Sequence, residues 1–250
     1  MKQMICFIVS LLVLFSLNVW SQSESPHVPG TKVLRRTFLI QTDTLGGTCF
    51  TIIYQQREFV ITARHLFKKN LKSGGKTEIT LLIGRELKSI TATFHKSRND
   101  SLDIAVLTLP LLTHNVDSYH YEGTPLFGQD VYFIGYPSFN GTLFLTDDKK
   151  ESYFPIIKKA ILSGSVRISN DVSYFLLDGH NNPGFSGGPV IFYNYETKQN
   201  ELLGIISGYY LQENALKDKS LNSKQIMENS GIIQGYYIND AINIIKDIKN

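Results

Sequence analysis

Short apolar runs alternate with polar turns along most of the chain. The run at 59–63 has β-branched residues at 60–62, and a second apolar run covers 104–109; both are typical of strands. Glycine- or proline-containing stretches, such as 72–76 and 137–141, separate the runs and predict turns. The period changes near the end of the chain, where apolar residues at 241, 242, 244, 245 and 248 have helical spacing. The chain is therefore predicted to be all-β with a C-terminal α-helix.

Composition indicates a globular protein. Of the 250 residues, 42% are hydrophobic and 19% are charged, which is typical of folded domains and unlike disordered chains. The formal net charge is only +3, and no basic stripe is interleaved with aromatic residues, so we expect no nucleic-acid partner. The lysine pairs at 149–150 and 158–159 are interpreted as solvated surface.

The N-terminus has the pattern of a secretory signal peptide. Lys2 precedes an apolar stretch at 4–17, which is shorter than the roughly 20 residues of a membrane span. We predict a signal peptide over 1–21, a polar lead-in over 22–37, and export to the periplasm or the cell exterior. No membrane span is expected after leader cleavage, and an uncleaved anchor is the alternative.

Cysteine usage indicates a protein without internal disulfides. Cys6 lies in the predicted leader, so the mature chain keeps only Cys49. We interpret Cys49 as a small buried hydrophobe rather than a reactive thiol.

A serine between glycines is the first candidate for chemistry. Ser186 lies in the sequence N-P-G-F-S-G-G-P-V at 182–190. Glycine lets the backbone turn sharply and approach a bound group closely. A nucleophile beside main-chain N–H groups that stabilise an oxyanion needs such a backbone. A glycine-rich turn without chemistry is the alternative.

A base and an acid for this serine lie upstream. His65 follows the first predicted strand at the point where the chain turns, and Asp103 opens the second. A carboxylate at such an edge is partly buried and needs a partner, for which an imidazole N–H is suitable. Asp100, in a polar and exposed turn, is the second candidate acid.

Chain order separates the hydrolase designs. In α/β-hydrolases the triad histidine follows the serine, whereas none of the six histidines follows Ser186 and the stretch at 187–192 is strand-like. The subtilisin order needs an aspartate before the histidine, and only Asp43, in a turn-like stretch, precedes it. The order His65, Asp103, Ser186 is that of chymotrypsin.

Several segments in the same order resemble trypsin-like serine proteases with the chymotrypsin fold. The signature segments are T-A-R-H at 62–65, D-I-A-V-L at 103–107 and G-F-S-G-G-P at 184–189. Segments that resemble further strands and the start of the last helix are 46–52, 131–137, 203–208 and 236–242. The resemblance covers about residues 38–249. It is nearest to the bacterial, disulfide-free type related to HtrA peptidases.

The resemblance implies a fold with defined parts. Two packed six-stranded antiparallel β-barrels are expected at 38–118 and 119–238, and a C-terminal helix at 239–250, as one peptidase unit. The chain stops just after the helix, so no PDZ-like domain is expected. No cofactor is implied, and the lack of an H-E-x-x-H motif or a Cys/His cluster predicts no metal.

The same resemblance implies a role for each candidate residue. Ser186 would attack a peptide carbonyl, His65 would take and return its proton, and Asp103 would hold the imidazole. The main-chain N–H groups of Gly184 and Ser186 would form the oxyanion hole.

A polypeptide substrate would pair with a strand of the second barrel. Ile206, Ser207 and Gly208 lie on that strand, where an extended peptide is expected to add as a further strand. His180, six positions before the serine, would form the floor of the specificity pocket, and Tyr209 would narrow its wall. A neutral floor argues against a preference for lysine or arginine. For His180, a hydrogen-bonded loop position is the alternative.

Two residues depart from the family pattern. Phe185 replaces the aspartate that captures a new N-terminal amine in activated relatives, so we expect no zymogen-type activation. Its ring is expected either to pack the oxyanion loop firmly or to leave it collapsed until substrate binds. Arg64 stands where alanine is common, and we expect its guanidinium to point to solvent rather than at His65.

These observations predict a secreted or periplasmic serine endopeptidase that acts through a His-Asp-Ser triad and an acyl-enzyme. The alternatives are a protease-fold protein that binds peptides without cutting them, and an esterase with the same triad. The long polar insertion at 212–230 is a candidate to overhang the substrate cleft. The sequence makes no prediction of the oligomeric state.

Overall fold

The structure, a computed structural model, describes residues 28–110, 119–137, 143–145, 151–215 and 225–249. Within these residues the chain forms mainly strands, as the alternation of apolar runs and turns predicts. The predicted signal peptide and the lysine pair at 149–150 lie outside the described residues, as does part of the polar insertion.

Six antiparallel strands close the first barrel. They are β1 (Thr37–Gln41), β2 (Gly46–Tyr54), β3 (Arg57–Ala63), β4 (Lys76–Ile83), β5 (Glu86–Lys96) and β6 (Ile104–Thr108). Their order around the barrel is β1-β2-β3-β6-β5-β4, and β4 pairs again with β1. Cys49 is fully buried among the apolar side chains of this barrel, and burial raises the pKa of its thiol.

The second barrel also has six antiparallel strands. After β7 (Asp130–Gly135), two short strands, β8 (Leu143–Leu145) and β9 (Glu151–Tyr153), pair with each other outside the barrel. The remaining barrel strands are β10 (Ile156–Arg167), β11 (Ser173–Asp178), β12 (Pro189–Asn194), β13 (Gln199–Ala215) and β14 (Gln225–Tyr237). The closed order is β7-β10-β11-β14-β13-β12.

A shared apolar cluster joins the barrels to the C-terminal helix. The two described α-helices are the one-turn α1 (Thr31–Arg35) and α2 (Ile238–Lys249). The residues of α2 that enter the cluster are Ile238, Ala241, Ile242, Ile244 and Ile245, and Ile248, the last position of the predicted helical spacing, packs against it. Ile61 of the first barrel and Ile134 of the second belong to the same cluster. Neither described helix is long and apolar enough to cross a membrane.

The predicted fold class is confirmed, and two details differ from the expectation. The lead-in contains α1, which is too short to leave a periodic signal. Much of the polar insertion is strand rather than loop, because 211–215 pair with 225–229. Residues 211–213 and 227–228 are exposed, so these positions of the hairpin extension have no buried face that an alternation of apolar and polar residues would mark.

Candidate active site

The pairing of β3 with β6 brings His65 and Asp103 together. The antiparallel register aligns Ala63 with Ile104, so the residues after one strand lie next to those before the other. At this point the Arg64 N–H donates to the Asp103 carbonyl at 3.3 Å. His65 and Asp103 therefore leave the first barrel at the same end.

The Asp103 carboxylate binds His65 with both oxygens. Its Oδ2 is 2.7 Å from His65 Nδ1, and its Oδ1 accepts the main-chain N–H of His65 at 2.8 Å. An ionised carboxylate can only accept, so Nδ1 carries the imidazole proton and Nε2 is left as the basic nitrogen. The Asp103 side chain is 17% exposed and that of His65 41%, so the carboxylate is largely shielded while the imidazole is open to solvent.

The serine loop needs glycine at two positions. Gly184 has a φ of +100° and Gly187 a φ of +86°, values that other residues rarely adopt. A Cβ at Gly187 would also lie 2.1 Å from the Thr48 carbonyl oxygen. The Gly187 N–H donates to the Ile206 carbonyl at 2.7 Å. The loop is thereby pressed against strands of both barrels just before β12 begins.

The Thr48 side chain ties this loop to the first barrel. Its hydroxyl donates to the Gly184 carbonyl at 2.7 Å and accepts the Tyr136 N–H at 2.9 Å. The main-chain N–H of Thr48 donates to the Ser186 carbonyl at 2.9 Å. With both carbonyls engaged, the N–H groups of Gly184 and Ser186 donate to no residue that the structure describes. The assignment of these two N–H groups to an oxyanion hole stays a prediction.

Ser207 connects the two halves of the site. The register of β13 with β14 shifts between Ile206 and Gly208, so Ser207 occupies a bulge, which re-aims a side chain relative to regular pairing. Its Oγ donates to Asp103 Oδ2 at 2.6 Å, and its carbonyl accepts Ser186 Oγ at 3.1 Å. Sequence reasoning placed Ser207 only on the substrate strand and missed these bonds, as it missed those of Thr48.

The other residues predicted to bind the substrate differ from one another in burial and in hydrogen bonding. Ile206 is buried, and its N–H donates to Gly188 at 2.9 Å. Gly208 has open space where a Cβ would lie, and Tyr209 is half-buried. His180 is exposed and makes no hydrogen bond to any described residue. The roles of His180 and Tyr209 in the specificity pocket stay predictions.

A row of tyrosines in the second barrel begins beside Asp103. The Tyr236 hydroxyl donates to the Ser101 carbonyl at 2.9 Å, and burial together with the Asp103 charge raises its pKa. Tyr174 packs edge-on against Tyr236 at 6.2 Å, and its hydroxyl lies 2.8 Å from that of Tyr210. This hydrogen bond, with burial, raises the pKa of Tyr210 to about 12. Tyr236 and Tyr210 are therefore neutral at neutral pH.

The two departures from the family pattern are both packed. Phe185 is 1% exposed, and its ring lies edge-on against Phe133 at 5.1 Å, so of the two expectations for this residue the structure shows firm packing. The Arg64 guanidinium lies 3.2 Å from Asp100 Oδ1 rather than being solvated alone. Hydrogen bonding and charge from Lys96, together with the Arg64 charge, lower the pKa of Asp100. Asp100, the second candidate acid, is 74% exposed and does not contact His65.

Two six-stranded barrels with a histidine, an aspartate and a serine at their junction define a peptidase of the chymotrypsin fold. A family model described as trypsin-like peptidase domain matches residues 47–205. The chain belongs to the trypsin-like peptidase family, and the resemblance seen in the sequence is confirmed.

Solved structures show the same fold at low sequence identity. The Rv3671c protease of Mycobacterium tuberculosis in its active form has a TM-score of 0.55 and 18% identity, over 86% of this chain and 82% of that one. Its inactive form gives 0.54 and 19%, over 88% and 92%. The HtrA-type protease AlgW with a tripeptide gives 0.57 and 18%, over 87% of this chain and 61% of AlgW. Comparison with curated proteins gives no significant match.

Proposed function

We propose that this trypsin-like peptidase is an exported serine endopeptidase in which Ser186 is the nucleophile, His65 the general base and Asp103 the residue that orients His65. One observation carries the proposal. The Asp103 carboxylate accepts hydrogen bonds from His65 Nδ1 and Ser207 Oγ, and the carbonyl of the same Ser207 accepts Ser186 Oγ. Nucleophile, base and acid thus belong to one hydrogen-bonded group that spans both barrels.

The proposed reaction proceeds through an acyl-enzyme. Ser186 Oγ attacks the carbonyl carbon of a peptide bond while His65 Nε2 takes the hydroxyl proton. The N–H groups of Gly184 and Ser186 bind the oxyanion that forms. His65 then gives the proton to the leaving amine as the C–N bond breaks. Water, deprotonated by His65, cleaves the resulting ester and releases the acid product.

The resting serine has to change its hydrogen-bond partner for this reaction. Ser186 Oγ donates to the Ser207 carbonyl in the structure and must turn to donate to His65 Nε2. Catalytic hydrogen bonds are often loose or misaligned without substrate and tighten when it binds. A substrate N–H that takes over the Ser207 carbonyl would release the serine at the moment of binding.

The proposed substrate is a polypeptide in extended conformation. Gly208, next to Ser207 on β13, has open space where a Cβ would lie, which lets a peptide backbone approach the strand closely. The tripeptide in the AlgW structure supports a peptide substrate for a protein of this fold. Export is proposed from the predicted leader at 1–21, and N-terminal sequencing of the secreted protein is expected to start at Gln22.

The nucleophile is tested by labelling with a fluorophosphonate and measuring the intact mass. We expect one adduct, formed by displacement of fluoride by Ser186 Oγ. It should be absent in Ser186→Ala and at least ~100-fold slower to form in His65→Ala, because the hydroxyl then has no base. A folded wild-type protein that forms no adduct between pH 7 and 9 would overturn the proposal and favour a peptide-binding role.

Turnover of matched peptide and ester substrates separates the peptidase from the esterase. We expect both to be cleaved, with loss of both activities in Ser186→Ala. Ester turnover with no cleavage of peptide libraries would contradict the endopeptidase and leave the esterase.

A further inference from the structure

One lysine of the second barrel contacts the serine loop. Lys158 lies on β10, opposite Phe133 of β7. Its Nζ donates to Asn182 Oδ1 at 2.8 Å and lies 5.7 Å from the centroid of the Phe185 ring. The Phe133 ring centroid is 5.9 Å away. The ammonium group therefore touches the loop on both sides of Gly184.

The two loop residues that Lys158 contacts, Asn182 and Phe185, are the two ends of one turn. The Phe185 N–H donates to the Asn182 carbonyl at 3.4 Å, which is long for such a bond. Gly184, inside the turn, has the left-handed φ of +100° and carries one of the N–H groups assigned to the oxyanion hole. Thr48 holds the carbonyl side of Gly184 from the first barrel. The start of the turn, at Asn182, is held instead by Lys158.

The neighbouring lysine shows that this packing is specific to one residue. Lys159 points to the other face of the strand, is exposed, and pairs with Asp130 at 2.8 Å. Lys158 is half-buried, and burial lowers its pKa. Among the described residues no carboxylate lies within ion-pair distance of Lys158. The expectation of solvated surface holds for Lys159 and is wrong for Lys158.

The interactions of Lys158 are of kinds that offset the partial loss of water around its ammonium group. A hydrogen bond from a charged donor is stronger than a neutral one. An ammonium within about 6 Å of an aromatic centroid is attracted by the ring, more strongly when it is desolvated. Both interactions end on residues of the serine loop or on Phe133, against which Phe185 packs.

We propose that Lys158 is a positioning residue, which holds the oxyanion loop in its catalytic shape by binding both ends of the turn at 182–185. The inference rests on the proposed function, because Lys158 has this role only if the Gly184 and Ser186 N–H groups serve as oxyanion donors. Lys158 touches no reacting atom and acts through the loop.

The test compares Lys158→Met with Lys159→Met. Both remove an ammonium from the same strand, and methionine keeps most of the apolar length of the side chain. Amide hydrogen exchange of peptides covering 181–188 reports the loop whether or not the protein cleaves anything. We expect exchange there to be at least ~10-fold faster in Lys158→Met and unchanged in Lys159→Met, with equal melting temperatures.

The kinetic readout separates positioning from general stability. Losing an oxyanion donor outright costs about 10²–10³-fold in kcat, so Lys158→Met should lower kcat by roughly 10- to 100-fold and change KM by less than about 3-fold. Lys158→Arg, which keeps the charge and the donors, should restore most of kcat. If Lys158→Met does not fold, Asn182→Ala removes the same contact from the loop side.

The outcomes distinguish the two proposals. Unchanged loop exchange in a folded Lys158→Met or Asn182→Ala protein overturns the role of Lys158, even if the wild type is an active peptidase. Unchanged kcat in an active wild-type background does the same. A wild type that neither labels nor cleaves overturns the proposed function, while the exchange comparison still decides whether Lys158 shapes the loop.

Discussion

The two halves of the candidate site are held by different kinds of contact. His65 lies two residues after Ala63, and Asp103 lies one residue before Ile104. Ala63 and Ile104 are aligned in adjacent strands of one barrel. The distance between His65 and Asp103 therefore follows from the register of β3 with β6. Ser186 lies in a loop whose shape depends on side chains from elsewhere, Thr48 in the first barrel and Lys158 on another strand of the second.

This difference predicts how each half responds to substitution. The acid-base half should keep its geometry as long as the first barrel is folded, so changes there should act on chemistry. The serine half depends on a few polar contacts, one set from the first barrel and one from within the second, so their loss should move the loop without unfolding the protein. Ser207 belongs to both halves, because it binds Asp103 and Ser186.

The largest effect is expected from Asp103→Asn. The amide can present an N–H to His65 Nδ1 and favour the wrong tautomer, so kcat/KM for a peptide should fall by roughly 10⁴-fold at neutral pH. Thermal unfolding should change little, because the barrel register is unaltered. A loss below tenfold would mean that another group orients His65.

A smaller effect on activity is expected from Thr48→Val. The substitution leaves the Gly184 carbonyl and the Tyr136 N–H without their partner. The free energy of unfolding should fall by about 1–3 kcal/mol, and kcat/KM by roughly 10²-fold as the Gly184 peptide loosens. Thr48→Ser keeps the hydroxyl and is the matched control. Equal activity of the valine and serine variants would show that the loop does not need the first barrel.

Ser207→Ala should have a moderate effect. It removes the hydroxyl that donates to Asp103 Oδ2 but keeps the carbonyl that accepts Ser186 Oγ. A hydrogen bond to a charged group contributes about 1.5–3 kcal/mol, so kcat/KM should fall by roughly tenfold or somewhat more. Initial rates over pH 6–9 measure this. Wild-type rates throughout that range would remove Ser207 from the link between the two halves.

The smallest effect is expected from Asp100→Asn. Asp100 is 74% exposed and pairs with Arg64 rather than His65, so kcat/KM should stay within about twofold of the wild type, as for an exposed ion pair. The same peptide assay compares it with Asp103→Asn. A loss similar to that of Asp103→Asn would reverse the assignment of the acid.

The acid-base half and the fold class could be predicted because they depend on local patterns. Apolar runs bounded by turns indicate strands, and the order of histidine, aspartate and serine separates the hydrolase designs. The contacts of Thr48, Ser207 and Lys158 could not be predicted in this way. Ser207 reaches Asp103 through a bulge, and Lys158 differs from Lys159 only in the face of the strand that it occupies.

The sequence by itself determined the all-β class, because strand and helix periodicity act over a few positions. It indicated the family and the candidate residues through the resemblance of short segments to those of trypsin-like proteases. Only the tertiary structure decided how the serine loop is held. The Thr48–Gly184 bond joins residues 136 positions apart, and the Ser207–Asp103 bond spans 104. Such contacts depend on how two closed barrels pack and where each side chain then points, which no local pattern of residues encodes.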